Sequence, residues 1–194
     1  KVKILYYNKL TPMILITLYF IIIFVILIFI ISIAVYLTSL IYSSFRGSPY
    51  VPTKRKIIQN ILKSAGLKKG FKFIDIGCGD GRIVEEAVST FGAIGTGIDI
   101  NPLLILRARI RAKFKKIKNI KYITGDIKKI DLSNYNMIYV FLMPKFIEEI
   151  SLQLEKALMN KTLIISHGFK VNILQKYLKK TIADKSFPTY VYGK

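Results

Sequence analysis

The stretch from Phe71 to Asn101 constrains the fold most, because it predicts a strand, a glycine turn, a helix and a second strand in close succession. The run 71–76 is apolar and bounded by glycine, a pattern typical of a buried parallel strand. The glycine-rich segment 77–81 follows directly, and apolar residues then recur at helical spacing from Ile83 to Phe91. This order predicts an α/β fold with a Rossmann-like, doubly wound and mainly parallel sheet.

The glycine turn also predicts a nucleotide site. Gly77, Gly79 and Gly81 form a GxGxG pattern, and glycine lets a backbone turn sharply and approach a ligand closely because no Cβ intervenes. Asp99 ends the second predicted strand, 22 positions after Gly77, where an acid meets the two hydroxyls of a ribose. The alternative is a turn that only joins strand to helix, without a ligand.

Two features favour S-adenosylmethionine over a dinucleotide as the ligand. Arg82 stands where a dinucleotide fingerprint has its third glycine. Asp75 ends the first strand, where a carboxylate would oppose a pyrophosphate but suits an amino group. Cys78, the single cysteine, lies in the loop and is expected to touch the cofactor through its backbone and not as a nucleophile.

The composition indicates partners more than fold. The chain of 194 residues has 31 Lys plus Arg against 11 Asp plus Glu, a formal charge of +20. Anionic membranes, RNA or particular protein substrates would all suit this charge, and a compositional bias of the whole genome would also produce it. The sequence has no cluster of Cys and His residues, so no metal site is predicted.

An uncharged apolar segment near the beginning of the sequence predicts one transmembrane helix. No charged residue occurs from Leu10 to Phe45, and Pro12 to Ile41 is almost continuously apolar. About 20 apolar residues cross the hydrocarbon core of a bilayer, so this segment is long enough to span it with some tilt. A cleaved signal peptide is the rival interpretation, but its apolar core would be far shorter.

Basic residues flank this segment on both sides, with a small excess after it, and this favours a cytoplasmic catalytic domain. Synthesis of adenosyl cofactors in the cytosol favours the same orientation. The predicted organisation is an anchor over residues 1–45, a connector and helix over 46–70, and a cofactor-binding domain over 71–194. The connector is punctuated by prolines and is expected to be extended, with Tyr50 and Thr53 as polar groups that could cap the site or simply belong to a linker.

A basic helix is predicted from Pro102 to Lys118. Leu103, Leu104, Leu106, Ile110 and Phe114 are expected to supply its apolar face. Its cations, together with Lys121, form a basic segment over 107–121. Such a run is usually a solvated surface, and contact with anionic lipid heads or RNA phosphates are the alternatives.

Later segments complete the predicted sheet. A third strand ends at Asp126, whose carboxylate could accept a hydrogen bond from the adenine amine. Strands are also expected at 136–142, 162–166 and 189–192, with one helix from Phe146 to Leu158 and a short apolar segment over 171–178. His167 follows a strand and is expected to be structural.

Together these motifs resemble the seven-β-strand (class I) S-adenosylmethionine-dependent methyltransferases. The segments PYVPT (49–53), DIGCGDGRIV (75–84), GIDINP (97–102) and FLMP (141–144) resemble more specifically the small protein-lysine methyltransferases. These include the membrane-anchored enzymes that act on the ATP synthase c-ring protein and the adenine nucleotide translocase, with archaeal and bacterial relatives. The sequence after the last predicted strand is short and only weakly similar to that family.

The resemblance implies methylation of the lysine ε-amine in a protein substrate, which could be a membrane protein. It places Tyr50, Thr53, Ile100 and Ile127 at the cofactor, together with the acids and glycines already named. Tyr139, Phe141 and Pro144 are the candidates for lining the amine channel.

Other activities stay open at this point. The basic segment could guide RNA into an RNA methyltransferase, and an anchored enzyme could methylate a lipid or small-molecule amine. FLMP differs from the Asn/Asp-Pro-Pro-Tyr element of enzymes that methylate adenine bases or glutamine, which argues against nucleic acid. A membrane-tethered binding module without activity is the remaining alternative.

Overall fold

The computed structural model describes residues 2–46, 51–183 and 187–194. The chain divides into two units, Lys1–Ser39 and Leu40–Lys194. Tyr50 and its neighbours 47–49 lie outside the described residues.

The first unit consists of one long helix, α1, which spans Val2–Arg46 and continues into the second unit. Its segment Pro12–Ile41 is long and apolar enough to cross a membrane, which agrees with the sequence-based bounds. The apolar side chains of this segment are mostly exposed, as expected for a helix that packs against lipid and not against protein.

The second unit contains a seven-stranded sheet in the order β3-β2-β1-β4-β5-β7-β6, as the predicted fold class requires. The strands β1 to β5 are parallel to their neighbours, and β7 runs antiparallel between β5 and β6. The strands are β1 (Lys72–Ile76), β2 (Ile94–Asp99), β3 (Ile120–Thr124), β4 (Met137–Val140), β5 (Leu163–His167), β6 (Leu178–Ile182) and β7 (Thr189–Tyr192).

Helices cover both faces of this sheet. Strand side chains alternate between two buried layers: Phe73 and Tyr139 pack on the side of α2, α3 and α4, whereas Ile74 and Ile138 pack on the side of α5 and α6. The helices are α2 (Arg55–Ser64), α3 (Arg82–Phe91), α4 (Pro102–Phe114), α5 (Pro144–Glu149) and α6 (Ser151–Met159), with short 3-10 helices at Ile127–Lys129 and Asn172–Tyr177.

Three details differ from the sequence-based expectations. The helix predicted over 146–158 is divided at Ile150, a buried residue whose backbone leaves the helical region. The apolar segment over 171–178 forms a 3-10 helix, and the strand β6 that follows it was not predicted. This strand carries two exposed lysines and pairs only with β7, so it lacks the apolar alternation that identifies a strand.

The apolar face predicted for α4 was also wrong. The helix packs on β2 and β3 through four other positions and leaves Leu106, Ile110 and Phe114 exposed. It ends at Phe114, four residues before the predicted end, so Lys121 lies on β3 and the basic segment 107–121 is not one helix. The buried residues of α4 are Leu104, Ile105, Ala108 and Ala112.

Candidate active site

A cleft opens at the carboxyl ends of the first four strands, beside the glycine turn that follows β1. It encloses about 940 Å³, including the space at its open mouth, a size typical of small-molecule sites. Ten of the residues predicted for the site line this cleft: Thr53, Asp75, Gly77, Cys78, Gly79, Asp99, Ile100, Asp126, Ile127 and Phe141.

The other predicted residues are not brought to the cleft wall. Tyr139 lies two residues before Phe141 and is fully buried in the layer beneath, beside Asp75 of the neighbouring strand. Pro144 comes after the strand and is the first residue of α5. Gly81 precedes α3, and its carbonyl oxygen accepts a hydrogen bond of 2.9 Å from the hydroxyl of Tyr122.

Left-handed backbone at three alternate positions shapes the loop between β1 and α3. Gly77, Gly79 and Gly81 have φ angles of 78°, 53° and 76°, which side chains with a Cβ rarely adopt. A Cβ at Gly81 would also collide with the ring of Tyr122. The glycines therefore keep the loop tight and its backbone open to the cleft.

Asp75 is a buried carboxylate on the cleft that lacks a compensating group. Among the described residues, its Oδ2 has no hydrogen-bond partner. Burial raises the pKa of Asp75 well above its usual value, and the charges of Asp99 and Asp80 raise it further. A ligand ammonium group at this oxygen would supply both a donor and a positive charge, and the α-amino group of S-adenosylmethionine fits that requirement.

Asp99 is held in place by backbone groups on both sides. Its Oδ2 accepts a hydrogen bond from the backbone N–H of Gly79, and its Oδ1 accepts one from that of Asn101, each 2.8 Å long. Burial raises the pKa of Asp99, and these backbone donors oppose that rise. Each carboxylate oxygen keeps a further lone pair, so the group can accept the two hydroxyls of a ribose.

Asp126 begins the short 3-10 helix after β3 and has one oxygen committed to the backbone. Its Oδ1 accepts a hydrogen bond of 3.0 Å from the N–H of Lys128. Two half-buried apolar residues, Ile100 and Ile127, line the same part of the cleft. This combination of an acid and two aliphatic side chains suits the amine and the ring faces of adenine.

An ion-pair cluster that could not be recognised in the sequence supports the loop. Both Nε and Nη2 of Arg82 donate to the carboxylate of the buried Asp80 at 3.0 Å, and Nη1 of Arg111 donates to it at the same distance. Burial by itself would raise the pKa of Asp80, but hydrogen bonds and charges from the two arginines outweigh it and lower the pKa to about 2. Nη1 of Arg82 also donates to the carbonyl of Thr53 at 3.3 Å, which ties the connector to the loop. Arg82 in place of a third glycine was the available signal.

An aromatic cluster lies at the ends of β4 and β5. The rings of Phe141 and His167 meet edge to face with centroids 4.6 Å apart, and Phe187 lies 5.4 Å from Phe141. His167 is buried, and its Nδ1 is 2.7 Å from the hydroxyl oxygen of Thr189, in keeping with a structural role. Phe141, Leu142 and Phe146 form an apolar wall of the cleft.

The strand order and the acids around the glycine loop define the chain as a class I S-adenosylmethionine-dependent methyltransferase. Comparison with known proteins specifies the family. A sequence model described as the ANTKMT methyltransferase domain matches residues 75–177, more than half of the chain. The chain therefore belongs to this methyltransferase family, whose members use S-adenosylmethionine as cofactor.

Individual relatives agree with this assignment. A protein-lysine N-methyltransferase of Saccharolobus islandicus is 30% identical over 125 residues, which are 63% of this chain and 78% of that protein. The lysine N-methyltransferase of the ATP synthase c-ring protein from Homo sapiens is 31% identical over 122 residues, 62% of this chain, and the match covers only 52% of that protein. Among solved structures, an RNA methyltransferase from Salinibacter ruber in complex with S-adenosyl-L-homocysteine superposes with a TM-score of 0.68 and 29% identity, covering 73% of this chain and 92% of that one.

Proposed function

We propose that the protein methylates the ε-amine of lysine in a protein substrate. The observation that carries this proposal is the division of the cleft into two chemically different sides. Acids and glycines form one side, and the apolar residues Phe141, Leu142 and Phe146 form the other. A lysine side chain has a long apolar stem and a single amine, so it matches an apolar wall that leads to a charged cofactor site. The similarity to protein-lysine methyltransferases supports the same substrate class.

The residues of the cleft have separate roles toward the cofactor in this proposal. Asp75 binds the α-amino group, and Asp99 binds the ribose hydroxyls. The carboxylate of Asp126 receives the adenine amine while two isoleucines hold the ring faces. The backbone of the glycine loop, from Gly77 through Cys78 to Gly79, follows the cofactor closely. Further contacts come from the connector, where Thr53 lines the cleft and Tyr50 is proposed from the sequence alone.

The apolar wall prepares the amine for the reaction. A free lysine has a pKa near 10.4, and removal of water around it by Phe141 and Phe146 favours the neutral form. When bound, S-adenosylmethionine supplies an electrophilic methyl group on a sulfonium. The amine lone pair forms the new C–N bond as the C–S bond breaks, and the nitrogen then releases a proton. The contribution of the chain is therefore desolvation and alignment of the two reactants.

We further propose that the apolar helix anchors the enzyme in a membrane and that its substrate is a membrane protein. In this arrangement Pro12–Ile41 crosses the bilayer and residues 1–45 form the anchor. Residues 46–70 connect it to the catalytic domain 71–194, which faces the cytoplasm. The length and hydropathy of the helix support the anchor. The human relative is named for its action on the ATP synthase c-ring protein, which supports a membrane-embedded substrate.

A second candidate is methylation of RNA, because the Salinibacter ruber protein, which is 29% identical, is an RNA methyltransferase. The exposed lysines that follow α4 would then contact phosphates. We favour protein lysine, because the sequence relatives that are named lysine methyltransferases match at similar identity and share the family model.

The test measures transfer of labelled methyl groups by the full chain to solubilised membrane protein, with and without ribonuclease. Parallel samples have their lysines chemically blocked beforehand. Label on a protein band that disappears after lysine blocking supports the proposal. Label that is lost with ribonuclease, or that moves with lipid, would contradict it.

A matched pair of variants tests the apolar wall in the same assay. Phe141→Ala should lower methyl transfer by about 10- to 100-fold, because the amine is no longer desolvated and aligned. Its cofactor dissociation constant should change little. Phe114→Ala removes an equally large ring from a surface outside the cleft, and it should leave both quantities unchanged with a detergent-solubilised substrate. Equal effects of the two substitutions would refute the role of Phe141.

A further inference from the structure

We propose that the outer face of α4 binds the surface of an anionic lipid bilayer. This face carries three large apolar side chains that the domain does not cover. Leu106 is 50% exposed, Ile110 46% and Phe114 84%. Exposed apolar side chains grouped in one place are typical of a surface that binds a partner or a membrane.

The spacing of these residues makes them a continuous stripe. They stand at positions i, i+4 and i+8, so they lie above one another on one side of the helix, over a length of about 12 Å. The buried residues of α4, which include Leu104 and Ala108, point to the opposite side. The helix thus has one apolar side in the core and a second one in solvent, and only the first is explained by folding.

The cations of the helix are divided in the same way. Arg111 and Lys115, toward the core, form ion pairs with Asp80 and Glu85. Arg107 and Lys113 are exposed beside the stripe, and no ion pair involves them within the part of the chain that the structure describes. Lys116 and Lys118 follow the helix and are also exposed.

These features together fit a lipid surface better than protein or RNA. The sequence from Asn101 to Gly125 contains no acidic residue, so the face has a uniform positive charge. Apolar side chains flanked by lysine and arginine are the pattern of helices that lie in the headgroup region of anionic membranes. Protein interfaces are depleted in lysine. An apolar stripe would be of no use to an RNA backbone.

This contact would also fix the active site at the membrane. The helix begins at Asn101, next to Asp99, and Leu104 lines the cleft, so lipid bound along α4 holds the cleft at a constant height above the headgroups. The apolar helix Pro12–Ile41 on the same chain would keep the domain at a high local concentration of lipid. A weak surface contact is then sufficient, and it needs no second anchor.

The absence of tryptophan from the sequence permits a direct test. Phe114→Trp introduces a single fluorophore into the stripe, and Leu152→Trp introduces one at an exposed position of α6, on the other face of the sheet. Each full-length variant is reconstituted into nanodiscs of phosphatidylcholine with or without phosphatidylglycerol, and brominated lipid serves as the quencher. We expect strong quenching and a blue shift for Phe114→Trp in anionic discs only, and neither for Leu152→Trp.

Charge removal completes the test. Replacement of Arg107, Lys113, Lys116 and Lys118 by glutamine in the Phe114→Trp background should abolish the quenching, because each basic residue near an anionic surface strengthens binding about fivefold. Equal quenching at positions 114 and 152, or none at 114 in anionic discs, would overturn the proposal. A fluorescence change at 114 caused by added RNA without anionic lipid would overturn it in favour of nucleic acid.

Discussion

Two buried carboxylates five residues apart, Asp75 and Asp80, have opposite environments. Each is 1% exposed. Asp80 is neutralised by Arg82 and Arg111, and its pKa is lowered to about 2. Asp75 receives no hydrogen bond on Oδ2 from any described residue, and its pKa is raised by burial and by neighbouring acids.

This difference separates a group that stabilises the fold from one that is prepared for a ligand. A buried charge without a partner destabilises a protein unless a ligand compensates it. The arginines satisfy Asp80 whether or not the cofactor is bound. Asp75 reaches a comparable state only when a positively charged ligand occupies the cleft, so we infer that the loop is folded by one acid and made functional by the other.

The largest expected effect is on stability and follows from Asp80→Asn. The substitution leaves Arg82 and Arg111 without their shared carboxylate, and removal of one partner from a buried ion pair costs about 3–5 kcal/mol. Chemical denaturation of the full chain in detergent measures this loss. Asp126→Asn is the control, because Asp126 is exposed and outside the cluster. Similar unfolding midpoints for Asp80→Asn and the control would contradict the structural role of Asp80.

Asp75→Asn should produce the converse result. Cofactor affinity should fall by about 10- to 100-fold, since a charge-assisted hydrogen bond to the ammonium group is replaced by a neutral one. Stability without cofactor should be unchanged or slightly higher, because an uncompensated buried charge is removed. Isothermal titration with S-adenosylhomocysteine and a thermal melt measure the two quantities. A variant that binds normally but unfolds easily would mean that Asp75 is structural.

These predictions concern a site that the sequence indicated only in part. Asp75 and Asp99 could be identified because each ends an apolar strand near glycines, which is a local pattern. The role of Asp80 depends on Arg111, 31 residues further along the chain, and no local pattern reports such a contact. Nor could local periodicity orient α4, because that helix is apolar on two opposite sides and only its packing on β2 and β3 decides between them.

The other parts of the fold follow the same distinction between local and long-range information. The segment from β1 to β2 was predicted closely because strand, turn and helix each have a clear pattern. The strand β6 was missed because it is defined by its pairing with β7 and not by its own composition. Tyr139 was expected at the channel because it is near Phe141 in sequence, but its position two residues earlier places it in the buried layer.

The pH dependence of cofactor binding provides a third and smaller effect. The pKa of Asp75 is raised in the protein without ligand, and a bound ammonium group favours the charged carboxylate and lowers that pKa again. Affinity is therefore greatest above the raised pKa, and it falls by about tenfold per pH unit below it until the lower pKa of the complex is reached. Titrations between about pH 5 and 8 measure the slope. Asp75→Asn should flatten it, and an unchanged slope in that variant would assign the proton to another group.

The smallest expected effect concerns the second acid of the cluster, Glu85, whose partners are redundant. Arg55, Arg111 and Lys115 all pair with this buried carboxylate, and the side chain of Lys115 is 43% exposed. Lys115→Gln should therefore lower the free energy of unfolding by less than about 1 kcal/mol, as is typical of exposed ion pairs. Arg111→Gln is the matched comparison and should cost several times more, because Arg111 also neutralises Asp80. If the two substitutions shift the denaturation midpoint equally, the cluster is held by total charge and not by the specific pairing of Asp80, and the contrast with Asp75 loses its basis.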